Sequence, residues 1–253
     1  MILTIDLGNT SLKLGVFENY REIAFSVVDN PIADYKSTIM SFLYKANLRE
    51  DDIEKTILAC VVPSEYERAI TDIKAIFADK KIYDIKPEKD YGFKIGVPNP
   101  DEVGDDIIVM SALAHHLYQK ETIIVSVGSA TVLVHVTAEG EFKHCIIAPG
   151  FIKMAESLWK NIAHLPELDI KKKNTFLANT TVDCMNVGIY NGYIGMVAFL
   201  VAGMKRDIGK DCYVIGCGGL GKKIVPYVNF FDEFDPDFVT KGLNYICETF
   251  ENE

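Results

Sequence analysis

A polar turn near the N-terminus combines residue types that can hold a phosphate group. The first apolar run leads into Asp6-Leu7-Gly8-Asn9-Thr10, and Lys13 follows three residues later. Gly8 allows the backbone to approach an anion closely, while Asn9 and Thr10 can donate hydrogen bonds. Asp6 can bind Mg²⁺ directly or through water. The pattern indicates a phosphate-binding turn, although strand-ending polar turns are common and the motif alone is only moderately specific.

Two later glycine-rich turns could hold other parts of the same ligand. Gly128-Ser129-Ala130-Thr131 offers backbone N–H groups and hydroxyls to a polyphosphate. Gly216-Cys217-Gly218-Gly219-Leu220 leads from a predicted strand into a predicted helix, where glycines admit a flat or phosphorylated ligand. The second turn is not a dinucleotide-binding fingerprint, because a long helix precedes it and the chain ends too soon for such a domain.

Two adjacent carboxylates, Asp105 and Asp106, lie at the start of a predicted helix over 103–118. A carboxylate in such a place can accept the proton of an attacking hydroxyl during phosphoryl transfer. Acidic residues also favour the first turn of any helix, and on these residues alone that structural interpretation is preferred. The helix end is expected to keep Asp106 ionised, with little need for a raised pKa.

The elements predicted around these turns form two similar series. Strands are predicted over 1–5, 11–17, 22–28, 56–62 and 81–85, with helices over 34–46, 65–77 and 103–118. The pattern then begins again, with strands over 122–127, 131–137, 142–147 and 212–215 and helices over 153–163, 179–204, 220–227 and 238–250. This order predicts a duplicated α/β fold with domains over 1–118 and 119–253 and a cleft between them. A chance repeat is the alternative, because every α/β protein alternates strands and helices.

The composition excludes several classes of partner. The 253 residues carry 26 Lys+Arg and 36 Asp+Glu, a net charge of −10, and the longest basic run is Lys171-Lys172-Lys173. A nucleic-acid partner is therefore not expected. Apolar stretches such as 194–204 fall short of the ~20 residues of a membrane span, so no membrane partner is expected either. No signal peptide is recognisable, and the six scattered cysteines are predicted to be free thiols, so the chain is expected to be cytoplasmic.

Taken together, these turns resemble the phosphate and adenosine loops of the sugar-kinase, actin and heat-shock-chaperone superfamily. The chain is most similar to the type III pantothenate kinase family, and the resemblance covers nearly its whole length. The motifs that carry it, in chain order, are Asp6-Leu7-Gly8-Asn9-Thr10, Asn99-Pro100, Val103-Gly104-Asp105-Asp106, Val127-Gly128-Ser129-Ala130-Thr131, Ala148-Pro149-Gly150, Leu165-Pro166, Thr180-Thr181-Val182 with Gly188, Gly218-Gly219-Leu220 and Gly242-Leu243.

The resemblance implies two actin-like (ribonuclease-H-like) domains with mixed five-stranded sheets flanked by helices. It also implies a homodimer that phosphorylates pantothenate with ATP and Mg²⁺ in the first step of coenzyme A synthesis. By the same resemblance Asp106 is the general base and Asp6 the Mg²⁺-linked carboxylate. The implied ATP and phosphate contacts are Asp6, Gly8, Asn9, Thr10, Lys13, Gly128, Ser129, Ala130, Thr131, Gly218 and Gly219, and the implied substrate contacts are Asn99, Gly104, Asp105, Asp106, Ile107 and Thr181.

The chain departs from the family pattern at both binding sites. The family usually reads Gly-Ala-Asp-Arg where this chain has Gly104-Asp105-Asp106-Ile107, so the arginine that would hold the pantothenate carboxylate is missing. Asp105 also adds negative charge beside an anionic substrate. Ser126 replaces the aspartate associated with a monovalent cation, which makes a K⁺ or NH₄⁺ requirement doubtful.

Three hypotheses about function stay open on these grounds: a divergent pantothenate kinase, a kinase for another hydroxylated small molecule, and a catalytically silent dimeric accessory protein.

The glycines at 188, 192, 195 and 203 predict close helix packing at a dimer interface. His115-His116 is interpreted as the cationic end of a helix, not as a metal site.

Overall fold

A computed structural model describes residues 1–250 of the chain. Residues 251–253, the last three of the predicted second domain, lie outside the described residues. The strands are β1 (Ile2–Leu7), β2 (Ser11–Glu18), β3 (Arg21–Asp29), β4 (Lys55–Cys60), β5 (Lys81–Asp84), β6 (Lys94–Ile95), β7 (Thr122–Val127), β8 (Ala130–Val136), β9 (Glu141–Pro149), β10 (Tyr213–Cys217) and β11 (Glu233–Asp235). The helices are α1 (Tyr35–Lys45), α2 (Pro63–Ile76), α3 (Asp105–Tyr118), α4 (Phe151–Asn161), α5 (Thr181–Ile208) and α6 (Phe238–Thr249).

Backbone contacts divide the chain into two compact units. Of the described residues, the first unit contains 1–119, 136–143 and 237–250, and the second contains 120–135 and 144–236. The C-terminal helix α6 therefore belongs to the same unit as the N-terminal hairpin.

The first unit is built on a five-stranded mixed sheet in the order β3-β2-β1-β4-β5. Strands β1, β2 and β3 pair antiparallel, whereas β4 lies parallel to β1 and β5 parallel to β4. Leu3, Ile5 and Leu7 of β1 pack with α1 and α2 in one apolar cluster. Because side chains alternate along a strand, Thr4 and Asp6 point to the other face of the sheet. Helices α3 and α6 pack on that face.

The second unit contains most of a six-stranded sheet in the order β11-β10-β7-β8-β9-β6. Strand β10 is parallel to both β7 and β11. The tip of the β8–β9 hairpin belongs to the first unit, where β9 pairs with β6 through Glu141 and Phe142. Helices α4 and α5 cover the β7–β10 region, and Phe151, Tyr193 and Val197 lie at the centre of their apolar cluster.

The predicted mixed α/β fold is confirmed, with two local corrections. The second sheet has six strands and not five, because the short strands β6 and β11 extend its edges. The predicted helix over 220–227 is wrong: two short 3₁₀ segments, Gly219–Lys223 and Val225–Tyr227, occupy that region. Gly221 and Pro226 explain the difference, since neither supports the interior of an α-helix.

Helix α5 is longer than the apolar stretch seen in the sequence. With 28 residues it is long and apolar enough, by length and composition, to cross a membrane. The expectation that every apolar segment is too short for a span was therefore wrong. One such helix is weak evidence for a span, because core helices pass the same test, and the buried side of α5 packs in the second unit's core.

Candidate active site

The site in the first unit begins with an ion pair across the N-terminal hairpin. Asp6 and Lys13 lie directly opposite each other in the β1–β2 register. The Lys13 Nζ donates to Asp6 Oδ2 at 2.5 Å, and Asp6 is only 3% exposed. Since both residues flank the same turn, the hairpin alone brings the predicted carboxylate and cation together.

The turn between them keeps its polar residues at the surface. Gly8 is held by a backbone hydrogen bond to the Ser11 carbonyl, and the Gly8 carbonyl accepts from the Asn30 side chain at 2.6 Å. Asn9 and Thr10 are exposed at the tip. Hydrogen bonds therefore hold both backbone groups of Gly8, whereas Asn9 and Thr10 face solvent.

A second carboxylate, Asp105, is fixed against the sheet. It is the first residue of α3, and its Oδ2 accepts the backbone N–H of Cys60 at 2.8 Å. Cys60 ends β4 and lies beside Leu7 of β1 in the parallel register. Burial raises the pKa of Asp105 to about 6, the Cys60 hydrogen bond opposes the rise, and the charge of Asp106 adds to it.

Asp106 is the second carboxylate at the start of α3 and is half-buried, like Asp105. Burial raises its pKa to about 6, and the negative charge of Asp6 adds to this rise. The Lys13 charge and the Ile107 N–H, which donates to Asp106 Oδ1 at 2.9 Å, act in the opposite direction. Desolvation therefore outweighs the favourable helix N-terminus and raises the pKa, but a value of about 6 still leaves Asp106 ionised at neutral pH.

Gly104 leaves room for this arrangement. A Cβ at position 104 would lie 2.8 Å from Asp106 Oδ1 and 3.5 Å from the Val61 side chain. Ile107, the residue after Asp106, is half-buried. Asn99 lies on the exposed loop before α3, where its side-chain amide donates to the Glu102 carboxylate at 3.0 Å. Asp6 and Lys13 form an ion pair, and the charges of both act on the pKa of Asp106. Asn99 lies on the loop that leads into α3.

The first turn of the second unit lies between β7 and β8. Gly128 donates to the Ala130 carbonyl at 3.0 Å, which closes the turn, and Ser129 is half-buried. Thr131 is fully buried, where its hydroxyl donates to the Pro149 carbonyl and contacts the Tyr193 hydroxyl at 2.7 Å. The Thr131 side chain therefore ties the turn to the core.

Gly150 packs directly over this turn. A Cβ at position 150 would lie 2.3 Å from the carbonyl oxygens of Gly128 and Ser129. Ser126, at the carboxyl end of β7, is half-buried and pairs with Cys217 in the sheet.

The glycines after β10 have different local roles. Gly218 has φ +88°, and a Cβ there would lie 2.5 Å from the Val127 carbonyl oxygen. A Cβ at position 219 would meet no atom within 4 Å, so the space beside Gly219 is open. Thr181, the remaining predicted substrate residue, is the exposed first residue of α5, where Thr180 supplies the N-cap.

Metal-binding groups are sparse in this arrangement. Within residues 1–250 no set of three or more His, Cys, Asp or Glu side chains is placed to hold a metal ion. His116, in the last turn of α3, stacks on the Tyr245 ring with 4.3 Å between the ring centroids.

Comparison with known proteins decides the family. The model of the type III pantothenate kinase family matches residues 2–203, a span that includes the β1–β2 turn, the α3 start and the β7–β8 turn. This chain belongs to the type III pantothenate kinase family. It is therefore a member of a phosphotransferase family, as the resemblance implied.

Two relatives named type III pantothenate kinase show how complete the match is. The protein from Agathobacter rectalis is 31% identical over 251 residues, covering 97% of this chain and 96% of the relative. The protein from Syntrophus aciditrophicus is 33% identical over 256 residues, covering 97% and 98%.

Solved structures support the fold. A protein described as a Baf family transcriptional activator from Campylobacter jejuni aligns with a TM-score of 0.63 at 14% identity, covering 99% of this chain and all of that one. Component A of (R)-2-hydroxyglutaryl-CoA dehydratase from Acidaminococcus fermentans aligns with a TM-score of 0.55 at 14% identity, covering 96% of each chain. At these identities the likeness concerns the actin-like fold alone.

Two supporting contacts of the site were not predicted from the sequence. The Cys60 backbone N–H holds Asp105, and Gly150 packs over the β7–β8 turn. Gly150 stands in one of the family motifs, but nothing in the sequence around Cys60 signals a contact with a residue 45 positions away.

Proposed function

We propose that this protein transfers the γ-phosphoryl group of ATP to the primary hydroxyl of pantothenate, giving 4′-phosphopantothenate and ADP in the first step of coenzyme A synthesis. The observation that carries the proposal is the position of Asp106 within the electrostatic influence of the Asp6–Lys13 pair. A family model and full-length relatives of the same name add to it.

Asp106 is proposed to act as the general base. As the hydroxyl oxygen forms its bond to the γ-phosphorus, the hydroxyl proton passes to the Asp106 carboxylate and the bond from the γ-phosphorus to the bridging oxygen of ADP breaks. A pKa of about 6 leaves the carboxylate ionised at neutral pH and close to the range in which general bases work well.

The residues present fit a magnesium ion. Mg²⁺ is commonly held by one or two carboxylates together with substrate phosphates, so a large set of protein ligands is not required. Asp6 is buried and offers carboxylate oxygens as metal ligands. Its negative charge also raises the pKa of Asp106, and a bound cation would reduce the repulsion between the two carboxylates. When bound, Mg²⁺ would neutralise phosphate charge, while Lys13 orients the Asp6 carboxylate.

The remaining contacts follow the family pattern. Gly8, Asn9 and Thr10 at the exposed tip are proposed to contact phosphates, as are Gly128, Ser129 and Ala130 of the second unit. Thr131 is proposed to support that turn through its buried hydrogen bonds. The open space beside Gly219 suits a flat adenine ring, and Gly218 provides the required backbone conformation. Asn99, Gly104, Asp105, Ile107 and Thr181 are proposed to line the pantothenate side.

Ser126 carries no charge, so a K⁺ or NH₄⁺ ion is not part of the proposed site. We also propose two actin-like domains, as predicted over 1–118 and 119–253, a homodimer, and a cytoplasmic location. Neither a nucleic acid nor a membrane is included as a partner.

A second candidate function rests on the residues around Asp106. Ile107 is half-buried and uncharged where the family has arginine, and Asp105 adds a carboxylate beside it. These residues favour an uncharged or cationic hydroxylated acceptor over the pantothenate carboxylate. A silent, dimeric accessory protein is the remaining alternative.

The proposal is tested by ADP release from purified protein with Mg-ATP, with and without pantothenate. We expect release that depends on pantothenate. No release at millimolar pantothenate, combined with turnover on a panel of hydroxylated amines and amides, would support another acceptor. No release on any acceptor would support the silent accessory protein.

A further inference from the structure

Asp105 connects the start of α3 to the sheet that carries Asp6. Its carboxylate accepts the Cys60 N–H at 2.8 Å, across 45 residues of chain. Cys60 lies at the carboxyl end of β4, beside the carboxyl end of β1. One hydrogen bond therefore links the first turn of α3 to the strand pair that ends at the phosphate-binding turn.

Asp106 is held by contacts within that same first turn. Its Oδ1 accepts the N–H of Ile107, and the Ile107 N–H also donates to the Gly104 carbonyl at 2.9 Å. The absence of a side chain at Gly104 leaves space for the carboxylate. These contacts set the direction of the Asp106 side chain relative to α3, but they do not by themselves fix α3 on the sheet.

We propose that Asp105 is a positioning residue for Asp106: its hydrogen bond from Cys60 holds the first turn of α3 where the Asp106 carboxylate can meet the acceptor hydroxyl. This inference rests on the proposed function and assigns a role to the carboxylate that this chain has in place of the family's alanine. The essential property is an oxygen acceptor at position 105, and not its charge.

The test compares Asp105→Asn with Asp105→Ala. Asparagine keeps a side-chain oxygen that can accept the Cys60 N–H, whereas alanine removes it. We expect Asp105→Ala to lower kcat at least tenfold with the KM for ATP changed less than threefold, and Asp105→Asn to recover most of the lost kcat. Asp79→Ala, the same truncation at an exposed turn of the first unit, is the matched control.

Amide hydrogen exchange separates this proposal from the proposed function. The Cys60 amide should exchange faster in Asp105→Ala than in the wild type, and Asp105→Asn should retain protection. Equal kcat for the two variants, or unchanged exchange at Cys60 in Asp105→Ala, would overturn the positioning role. A wild-type protein without turnover would refute the proposed function, and the exchange result would then decide the structural link by itself. Thermal melting checks that each variant is folded.

Discussion

The Asp106 carboxylate lies in surroundings that oppose its negative charge. Burial raises its pKa to about 6, Asp6 adds to the rise, and Lys13 limits it. The neighbouring Asp105 also has a pKa raised to about 6 by burial, and the charge of Asp106 adds to that rise. Both the activity and the stability of the protein should depend on this pair.

The activity should depend on pH because a general base must be ionised. We expect kcat/KM to fall as the pH is lowered through about 6, by up to tenfold for each further pH unit, since protonated Asp106 cannot accept the hydroxyl proton. A pH–rate profile from 5 to 8.5 with saturating Mg-ATP measures this. A flat profile down to pH 5 would contradict the assigned base.

Removing the negative charge of Asp106 should stabilise the folded protein. A carboxyl group whose folded pKa exceeds its unfolded value of 3.8 destabilises the fold at pH above the folded pKa and has no such effect below the unfolded one. Asp106→Asn should therefore raise the free energy of unfolding at pH 7.5 by about 2 kcal/mol, and the gain should shrink as the pH falls from 6 to 4.

Urea unfolding of wild type and Asp106→Asn at pH 7.5 and pH 4 measures this difference. Asp79→Asn, an exposed carboxylate in the same unit, serves as the control and should change little. Equal free energies of unfolding for wild type and Asp106→Asn at pH 7.5 would contradict the prediction that the Asp106 charge destabilises the folded protein.

At the scale of elements, the turns of the second unit depend on close backbone packing. Gly218 combines a positive φ with a 2.5 Å approach to the Val127 carbonyl, whereas the neighbouring Gly219 has free space beside it. The two glycines therefore form a natural matched pair.

We expect Gly218→Ala to lower the free energy of unfolding by about 2 kcal/mol or more, because the added Cβ forces the turn away from β7 and strains a left-handed backbone. Gly219→Ala should change the free energy of unfolding by less than about 0.5 kcal/mol. Chemical denaturation of both variants tests this, and equal losses would contradict the packing described for the turn.

Local chemistry made parts of this architecture predictable. The β1–β2 hairpin and its Asp6–Lys13 pair follow from alternation and a short polar turn, and α1 follows from the helical spacing of Ile39, Phe42 and Leu43. The short strands β6 and β11 were missed, because two- or three-residue strands form only where a neighbouring strand is available.

The tertiary contacts that position the site residues could not be predicted from the sequence, because they join distant parts of the chain. The Asp105–Cys60 hydrogen bond, the grouping of α6 with the N-terminal hairpin and the burial of Asp106 all depend on tertiary packing. The helix-end rule alone does not predict the raised pKa of Asp106, because desolvation is not visible in a local pattern.

At the scale of the whole molecule, α5 has an outer face that its own unit does not cover. Phe199 is 74% exposed, and positions 188 and 195 have open space where a side chain would lie. The predicted homodimer would bury this face.

We expect the wild type to sediment as a dimer and Gly195→Arg to sediment as a monomer. Apart from its two chain neighbours and the adjacent backbone of α5, the new Cβ would meet no atom within 4 Å, but the arginine would obstruct a partner. Gly195→Ala is the control and should remain dimeric. A monomeric wild type, or a dimeric Gly195→Arg with unchanged affinity, would contradict this location of the interface.

The central claim is that Asp106 accepts the hydroxyl proton while ATP phosphorylates pantothenate. Mass spectrometry of the reaction of wild type, Asp106→Asn and Asp79→Ala with Mg-ATP and pantothenate tests it most directly. We predict 4′-phosphopantothenate from the wild type and Asp79→Ala, and at least a hundredfold less from folded Asp106→Asn. No product from the wild type, or equal product from Asp106→Asn, would contradict the claim.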